Sequence, residues 1–302
     1  MATKRKATPT DTLPPTFAGA AVMSVVMYPV DVVRALCMST PGLGAKDALS
    51  GFLKDHGLIG FVKQGMAVEV FRSSLARGIK FWVQPLAKNK LLENGWANNF
   101  VTSGTAGCIA VFPEVWAISS MENIKLAQQL DSKGQFNGAV DVARHLVKTR
   151  GVFGGLYCGY FGMQLRQVLF TGATFGSIDL CKDALRGVGI SNAMALDVVG
   201  GFMSGVVGVG FNCWTDVVRS VVQKKAIAAS FDPTSKAPSQ LEPLNPVPFF
   251  KETAALMQTK GIGGLYAGVG PKMIHLGLGN SILFVLMPRF KEMWFNSQGI
   301  QL

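Results

Sequence analysis

Three stretches of small and apolar residues, near 14–30, 99–119 and 194–213, dominate the hydrophobic pattern of the chain. Each is long enough to cross an apolar layer, which takes about 20 helical residues. Each gives way to polar sequence in which short amphipathic helices are expected, near 46–54, 138–149 and 248–258. A second helical stretch then follows, at 66–88, 160–182 and 269–291. The first of these second stretches carries Glu69, Arg72, Arg77 and Lys80. Charges inside a membrane span are costly and face a wet interior or a partner. The two later stretches are more apolar, which argues against a surface helix of a soluble protein. Six membrane helices are therefore expected.

The same landmarks recur in every unit, so the pattern is an internal repeat. A glycine-centred phrase ends each polar segment: His56 to Gly65, Gly151 to Gly159 and Gly261 to Gly268. Counted from the last glycine of each phrase, an aromatic returns in register at Phe81, Phe175 and Phe284, and a cation at Lys88, Lys182 and Lys291. Earlier in each unit an acid-x-x-base pair closes the first apolar stretch: Asp31 with Arg34, Glu122 with Lys125, Asp216 with Arg219. Chance supplies one such match; it does not supply several together in three copies. The units are expected at 1–95, 96–190 and 191–302, with a polar tail at 1–13. A loop at 226–248 holds a Pro- and Ser-rich run from Asp232 to Pro248.

Composition fits a membrane protein. Charged residues make up 16% of the 302 residues, hydrophobic ones 49%, and glycine numbers 35; mean hydropathy is +0.31. Abundant glycine lets helix backbones approach closely in lipid. The 29 basic residues outnumber the 18 acidic ones, giving +11. They form no single basic stripe with interleaved aromatics, so nucleic acid is not expected as a partner. Singly placed cations between apolar stretches suit anionic lipid or an anionic solute instead. Cys37, Cys108, Cys158, Cys181 and Cys213 lie far apart with no CxxC, which points to reduced cysteines rather than a disulfide framework or a metal site. Lys4, Arg5 and Lys6 are followed by no apolar signal core, so the start reads as a polar tail and not a secretory signal.

Pro29-x-Asp31-x-x-Arg34, ending the first helix of a threefold repeat, resembles the signature of the mitochondrial carriers. Gly155-Leu156-Tyr157-x-Gly159 and Gly264-Leu265-Tyr266-x-Gly268 are similar to that family's second landmark. Within the family, the segments from Arg77 to Phe81, from Asn212 to Ser220 and from Pro271 to Gly277 resemble the 2-oxodicarboxylate carrier branch. The resemblance implies an all-α membrane protein of six transmembrane helices in three two-helix units, pseudo-threefold in symmetry. It also implies short amphipathic helices on the matrix side and both termini on the intermembrane side of the mitochondrial inner membrane. Cardiolipin is implied as a lipid partner; glycine-rich helix starts offer free N–H groups to lipid phosphate. No cofactor or metal is implied.

Residues three apart share a helix face, so each acid-x-x-base pair projects to one side. In the resembling fold Pro29 bends its helix, and Asp31, Glu122 and Asp216 pair with Arg34, Lys125 and Arg219 of neighbouring repeats, closing a matrix gate braced by Gln129 and Gln223. Lys88, Lys182 and Lys291 belong to a cytoplasmic gate, of which Asp179 keeps the one acid; Pro85 and Pro288 hold the other two places. At a common offset from the last glycine of each phrase stand Arg72, Arg166 and His275, the level at which the resembling fold contacts its solute. Two guanidiniums there favour carboxylate or phosphate, which arginine clasps bidentately. Arg77, Lys80 and Gln167 add donors. A competing reading pairs these cations with internal acids such as Glu69 or Glu114.

Several positions depart from the family pattern. His275 stands where arginine is usual, Ser120 and Trp214 replace prolines, and Met38 replaces a gate-bracing glutamine. Two functions are therefore expected in competition. One is an antiporter exchanging small anionic, oxodicarboxylate-like metabolites by alternating access. The other is a transport-inactive carrier-fold subunit of a larger respiratory-chain or ATP-synthase membrane complex. An enzyme is not expected: no HExxH, GxSxG or P-loop is present, and the glycine phrases lack a strand-turn-helix setting.

Overall fold

The computed structural model describes residues 5–6, 9–39, 46–47, 49–51, 53–54, 57, 67–130, 136, 138–229, 242–266 and 268–301. After a two-residue strand β1 (Arg5–Lys6) and a 3-10 turn (Pro9–Thr12), the chain enters α1 (Leu13–Ser39). There follow α2 (Ala67–Glu93), α3 (Phe100–Leu130), α4 (Ala139–Leu156), α5 (Tyr160–Gly187), α6 (Ala193–Ala228), α7 (Val247–Leu265) and α8 (Val269–Gln298). A last strand, β2 (Ile300–Gln301), pairs in parallel with β1 and joins the two ends of the chain. The described residues between 46 and 57 are also helical.

The long helices close into a ring. α1 packs on α2, α2 on α3, α3 on α5, α5 on α6, α6 on α8, and α8 returns to α1. α4 lies against α3, and α7 against α6, as the amphipathic pattern requires. The result is six transmembrane helices in three two-helix units around a pseudo-threefold axis, with the chain ends at one face and α4 and α7 at the other. Cys108, Cys181 and Cys213 carry free thiols.

Glycine explains how the repeats turn. Gly159 and Gly268 cap α5 and α8 at φ 68° and 75°, a left-handed conformation that only glycine adopts without strain. At Gly159 an added Cβ would also stand 2.6 Å from Cγ of Gln223. α6 starts differently: Asn192 Oδ1 accepts hydrogen bonds from the backbone N–H of Met194 (2.9 Å) and Ala195 (3.2 Å). Asn192→Ala removes that cap and is expected to cost about 1 kcal/mol, read as a lower melting temperature of the purified protein. An unchanged melting curve would show that α6 starts without it.

Two expectations need correction. First, the acid-x-x-base pairs do not end their helices. α3 continues past Lys125 to Leu130 and α6 past Arg219 to Ala228, so the loop expected from residue 226 begins later. The reason is local. The residues beyond each motif, Leu126, Ala127 and Gln128 among them, are good helix formers, and α1 likewise runs past Arg34 to Ser39 with Pro29 inside it. Second, α5 is not clearly more apolar than α2. Apolar windows long enough to cross a membrane occur at Thr10–Val30, Phe100–Gln128, Ala193–Ala228 and Val269–Gln298, and neither α2 nor α5 holds one. Both send charged and amide side chains inward, and their polarity belongs to the interior of the ring.

Candidate functional site

The interior holds a cavity of about 220 Å³ that draws side chains from every repeat. All six residues singled out for solute contact line it: Arg72, Arg77 and Lys80 from α2, Arg166 and Gln167 from α5, and His275 from α8. Towards the chain-termini face it is covered by Phe81, Phe175 and Phe284. Their rings meet edge to face in a triangle with centroids 5.3, 5.8 and 6.0 Å apart. The register seen in the sequence is thus a real convergence of three helices on the axis.

Beyond the triangle the polar contacts are uneven. Lys88 reaches Asp179 across α2 and α5 at 3.6 Å. Lys182 instead bonds Asp197 on α6 at 2.6 Å. Lys291 has no acidic partner among the described residues; in the order set by Lys88 with Asp179, its partner position is Pro85 and that of Lys182 is Pro288.

The floor of the cavity is a continuous chain of charges. Lys125 reaches Glu69 at 3.0 Å, Glu69 holds Arg72, and Arg72 bonds Glu122 at 2.9 Å. Glu122 also holds Arg219, whose other side meets Asp216 at 3.5 Å. Asp216 accepts in addition from Arg166 (3.4 Å) and from Lys272 (2.9 Å). Behind this layer Gln223 donates to Asn123 (3.0 Å). Asn123 in turn donates to the carbonyls of Leu156 and Cys158 at 2.9 and 3.1 Å, tying α3 to the turn between α4 and α5.

Of the expected inter-repeat pairs, Glu122 with Arg219 is present. The side chains of Asp31, Arg34 and Gln129 lie outside the described residues. Among the described residues, Lys125 reaches Glu69 of α2. Asp216 is bound by cations of its own repeat and by Arg166. The residues assigned to solute and those assigned to the gate therefore form one network, not two layers. Arginine side chains are long enough to span the helical turns that separate the levels in sequence. The internal-acid reading is correct as a description of contacts: Arg72 sits on Glu69, and Lys80 on Glu114 at 3.0 Å. Arg77 Nη1 donates to Ser24 Oγ at 2.7 Å.

Lys272 was not among the expected site residues. It is 6% exposed on α8, and besides Asp216 it donates to Asn212 Oδ1 at 3.0 Å. Its signal in the sequence was its place three residues before His275, on the same helix face. Glu114, 1% exposed, also accepts from Gln167 at 2.7 Å.

This cavity belongs to a recognisable class of protein. A family model described as mitochondrial carrier protein matches residues 15–95, 93–189 and 191–298. Mitochondrial citrate transporter D of Aspergillus niger is 26% identical over 299 residues, with 91% of each chain covered. Mitochondrial 2-oxodicarboxylate carrier 2 of Saccharomyces cerevisiae is 27% identical over 283 residues, with 86% of each chain covered. The mitochondrial 2-oxodicarboxylate carrier of Bos taurus is 26% identical over 281 residues, again with 86% of each chain covered. Three matching repeats, the closed ring and the inward-facing charges agree: the chain belongs to the mitochondrial carrier family.

Proposed function

We propose that this carrier exchanges small di- or tricarboxylate-like anions, oxodicarboxylates foremost, by alternating access across the mitochondrial inner membrane. It is a multi-pass solute carrier of that membrane, not an enzyme. The observation that carries the anion reading is the convergence of Arg72, Arg77, Lys80 and Arg166 on one cavity. Guanidinium and ammonium groups together bind carboxylates with direction and charge. The relatives named for citrate and 2-oxodicarboxylates point to the same chemistry. The gate residues fit alternation: Lys88 with Asp179 is the pair towards the termini face, and Glu122 with Arg219 closes the α4 and α7 face. A groove of about 260 Å³ between repeats two and three, lined by Arg150, Gly159, Gly162 and Lys225, suits an anionic lipid such as cardiolipin.

The test is counter-exchange of labelled anions in proteoliposomes. Wild-type protein is expected to exchange 2-oxoglutarate or citrate. Arg166→Ala is expected to lose at least about tenfold to a hundredfold, the worth of one charged hydrogen-bonding group. Asp216 keeps Lys272 and Arg219 in that variant, so the fold survives. One observation favours a second reading, a transport-inactive subunit of a respiratory-chain or ATP-synthase complex: of the three recurring lysines, only Lys88 has an acid from the next pair of helices in the expected place. Absence of exchange with every anion, together with stoichiometric co-purification with a large complex, would select it.

A further inference from the structure

Glu114 is the charged group of the cavity that simple anion exchange does not use. It lies on α3, 1% exposed, and its Oε1 accepts from Lys80 Nζ at 3.0 Å and from Gln167 Nε2 at 2.7 Å. Its Oε2 is equally buried and has no hydrogen-bond partner among the described residues. An ionised carboxylate has room for about four hydrogen bonds, and the described residues supply two, both to Oε1. Its charge is matched chiefly by Lys80.

The surroundings decide what happens when a second carboxylate enters. α2 presents Arg77 and Lys80 to the cavity, α5 presents Arg166 and Gln167, and α8 presents His275. α6 contributes the neutral Asn212, and α1 the apolar Met23 and Met27. α4 meets α3 through Phe153 on Trp116 and further along around Ala127. The cavity's other acids, Glu69 and Glu122, are held by Arg72 and Arg219. Lys80 is therefore both the cation that neutralises Glu114 and a donor that an anionic solute needs. Two carboxylates brought to one ammonium repel each other, and proton uptake by one of them relieves that cost.

We propose that Glu114 is a proton carrier of the transport cycle. An incoming carboxylate replaces it on Lys80, Glu114 binds one proton from the side of entry, and anion and proton leave together on the other side. This rests on the anion-exchange reading. The O–H bond formed at Glu114 on entry is broken on exit, and the carboxylate so regenerated closes again on Lys80. No electrons move, and each carboxylate that displaces Glu114 carries one proton.

The experiment is calorimetric binding of 2-oxoglutarate to the purified full chain in detergent, in two buffers of different ionisation enthalpy. The wild type is expected to take up about one proton per anion bound, with affinity falling towards tenfold per pH unit above neutrality. Glu114→Gln is expected to bind without proton uptake and with a flat pH profile; Glu114→Asp, which keeps the acid, retains both. Binding by the wild type with no buffer dependence would overturn the proton assignment and leave anion exchange standing. Proton uptake that persists in Glu114→Gln would overturn it too and point to His275. Failure of the wild type to bind 2-oxoglutarate or citrate at any pH would overturn both readings. Should Glu114→Gln not fold, Lys80→Gln/Glu114→Gln removes the pair together, and proton uptake in that variant would equally overturn the proposal.

Discussion

Gly205→Leu is expected to prevent α6 and α8 from docking and to cost about 3 kcal/mol, the upper part of the overpacking range. A Cβ at Gly205 would stand 2.9 Å from Cα of Gly277, 2.9 Å from Asn280 Nδ2 and 3.1 Å from the carbonyl oxygen of Leu276. Two of those three neighbours are backbone, so no rotamer change relieves them. Gly201, one turn earlier, meets Cα of Ser281 at 3.0 Å in the same way. Small residues spaced by four on both helices are what allows membrane helices to touch backbone to backbone. The pattern repeats in the previous unit, where a Cβ at Gly104 would come within 3.1 Å of the Gly172 carbonyl oxygen. Gly210 provides the control: it lies on the same helix with nothing within 4 Å of an added Cβ. Gly210→Leu should leave the melting temperature close to wild type, while Gly205→Leu yields little folded protein. Equal stability of the two variants would refute this account of the α6–α8 interface.

Lys80→Met is the second large effect. It strands the Glu114 carboxylate in the middle of the ring, and breaking a buried pair from one side costs about 3–5 kcal/mol. Removing both partners in Lys80→Met/Glu114→Leu should recover most of that loss, because apolar groups of similar volume replace a buried pair with little penalty. The pH dependence has a definite sign. Only the ionised form of Glu114 is stranded, so the single variant should be least stable at high pH and approach the double variant as the medium is acidified. Thermal unfolding of both variants over a pH series checks this. A deficit independent of pH would mean that packing of the lysine stem, and not charge, is what the substitution removes.

Much of this arrangement was legible in the residues. The common offset of Phe81, Phe175 and Phe284 meant one height on three equivalent helices, and a pseudo-threefold ring turns equal height into contact. The same reasoning brought Arg72, Arg166 and His275 to one cavity. What was not legible depends on distances across helices. Asp216 has Arg219 on its own helix, but Lys272 and Arg166 reach it from α8 and α5, and no spacing within α6 announces them. Lys125 likewise turns to Glu69, an acid without a counterpart in the other repeats. Neither α2 nor α5 holds an apolar window, because averaging over a window cannot tell an arginine facing the axis from one facing lipid. The helices outran their motifs because a motif marks where side chains converge, not where backbone hydrogen bonding stops.

The triangle of phenylalanines bears on the membrane's electrical integrity. Three rings in edge-to-face contact offer neither a hydrogen-bond acceptor strong enough to hold water nor a gap in which a file of water molecules could line up. Hydrophobic constrictions of this kind block ions by staying dry. Protons cannot hop through such a seal, so whatever charge the cavity handles is confined to complete turnovers. Widening the aperture with alanine at one ring would short-circuit the potential that an energised membrane maintains.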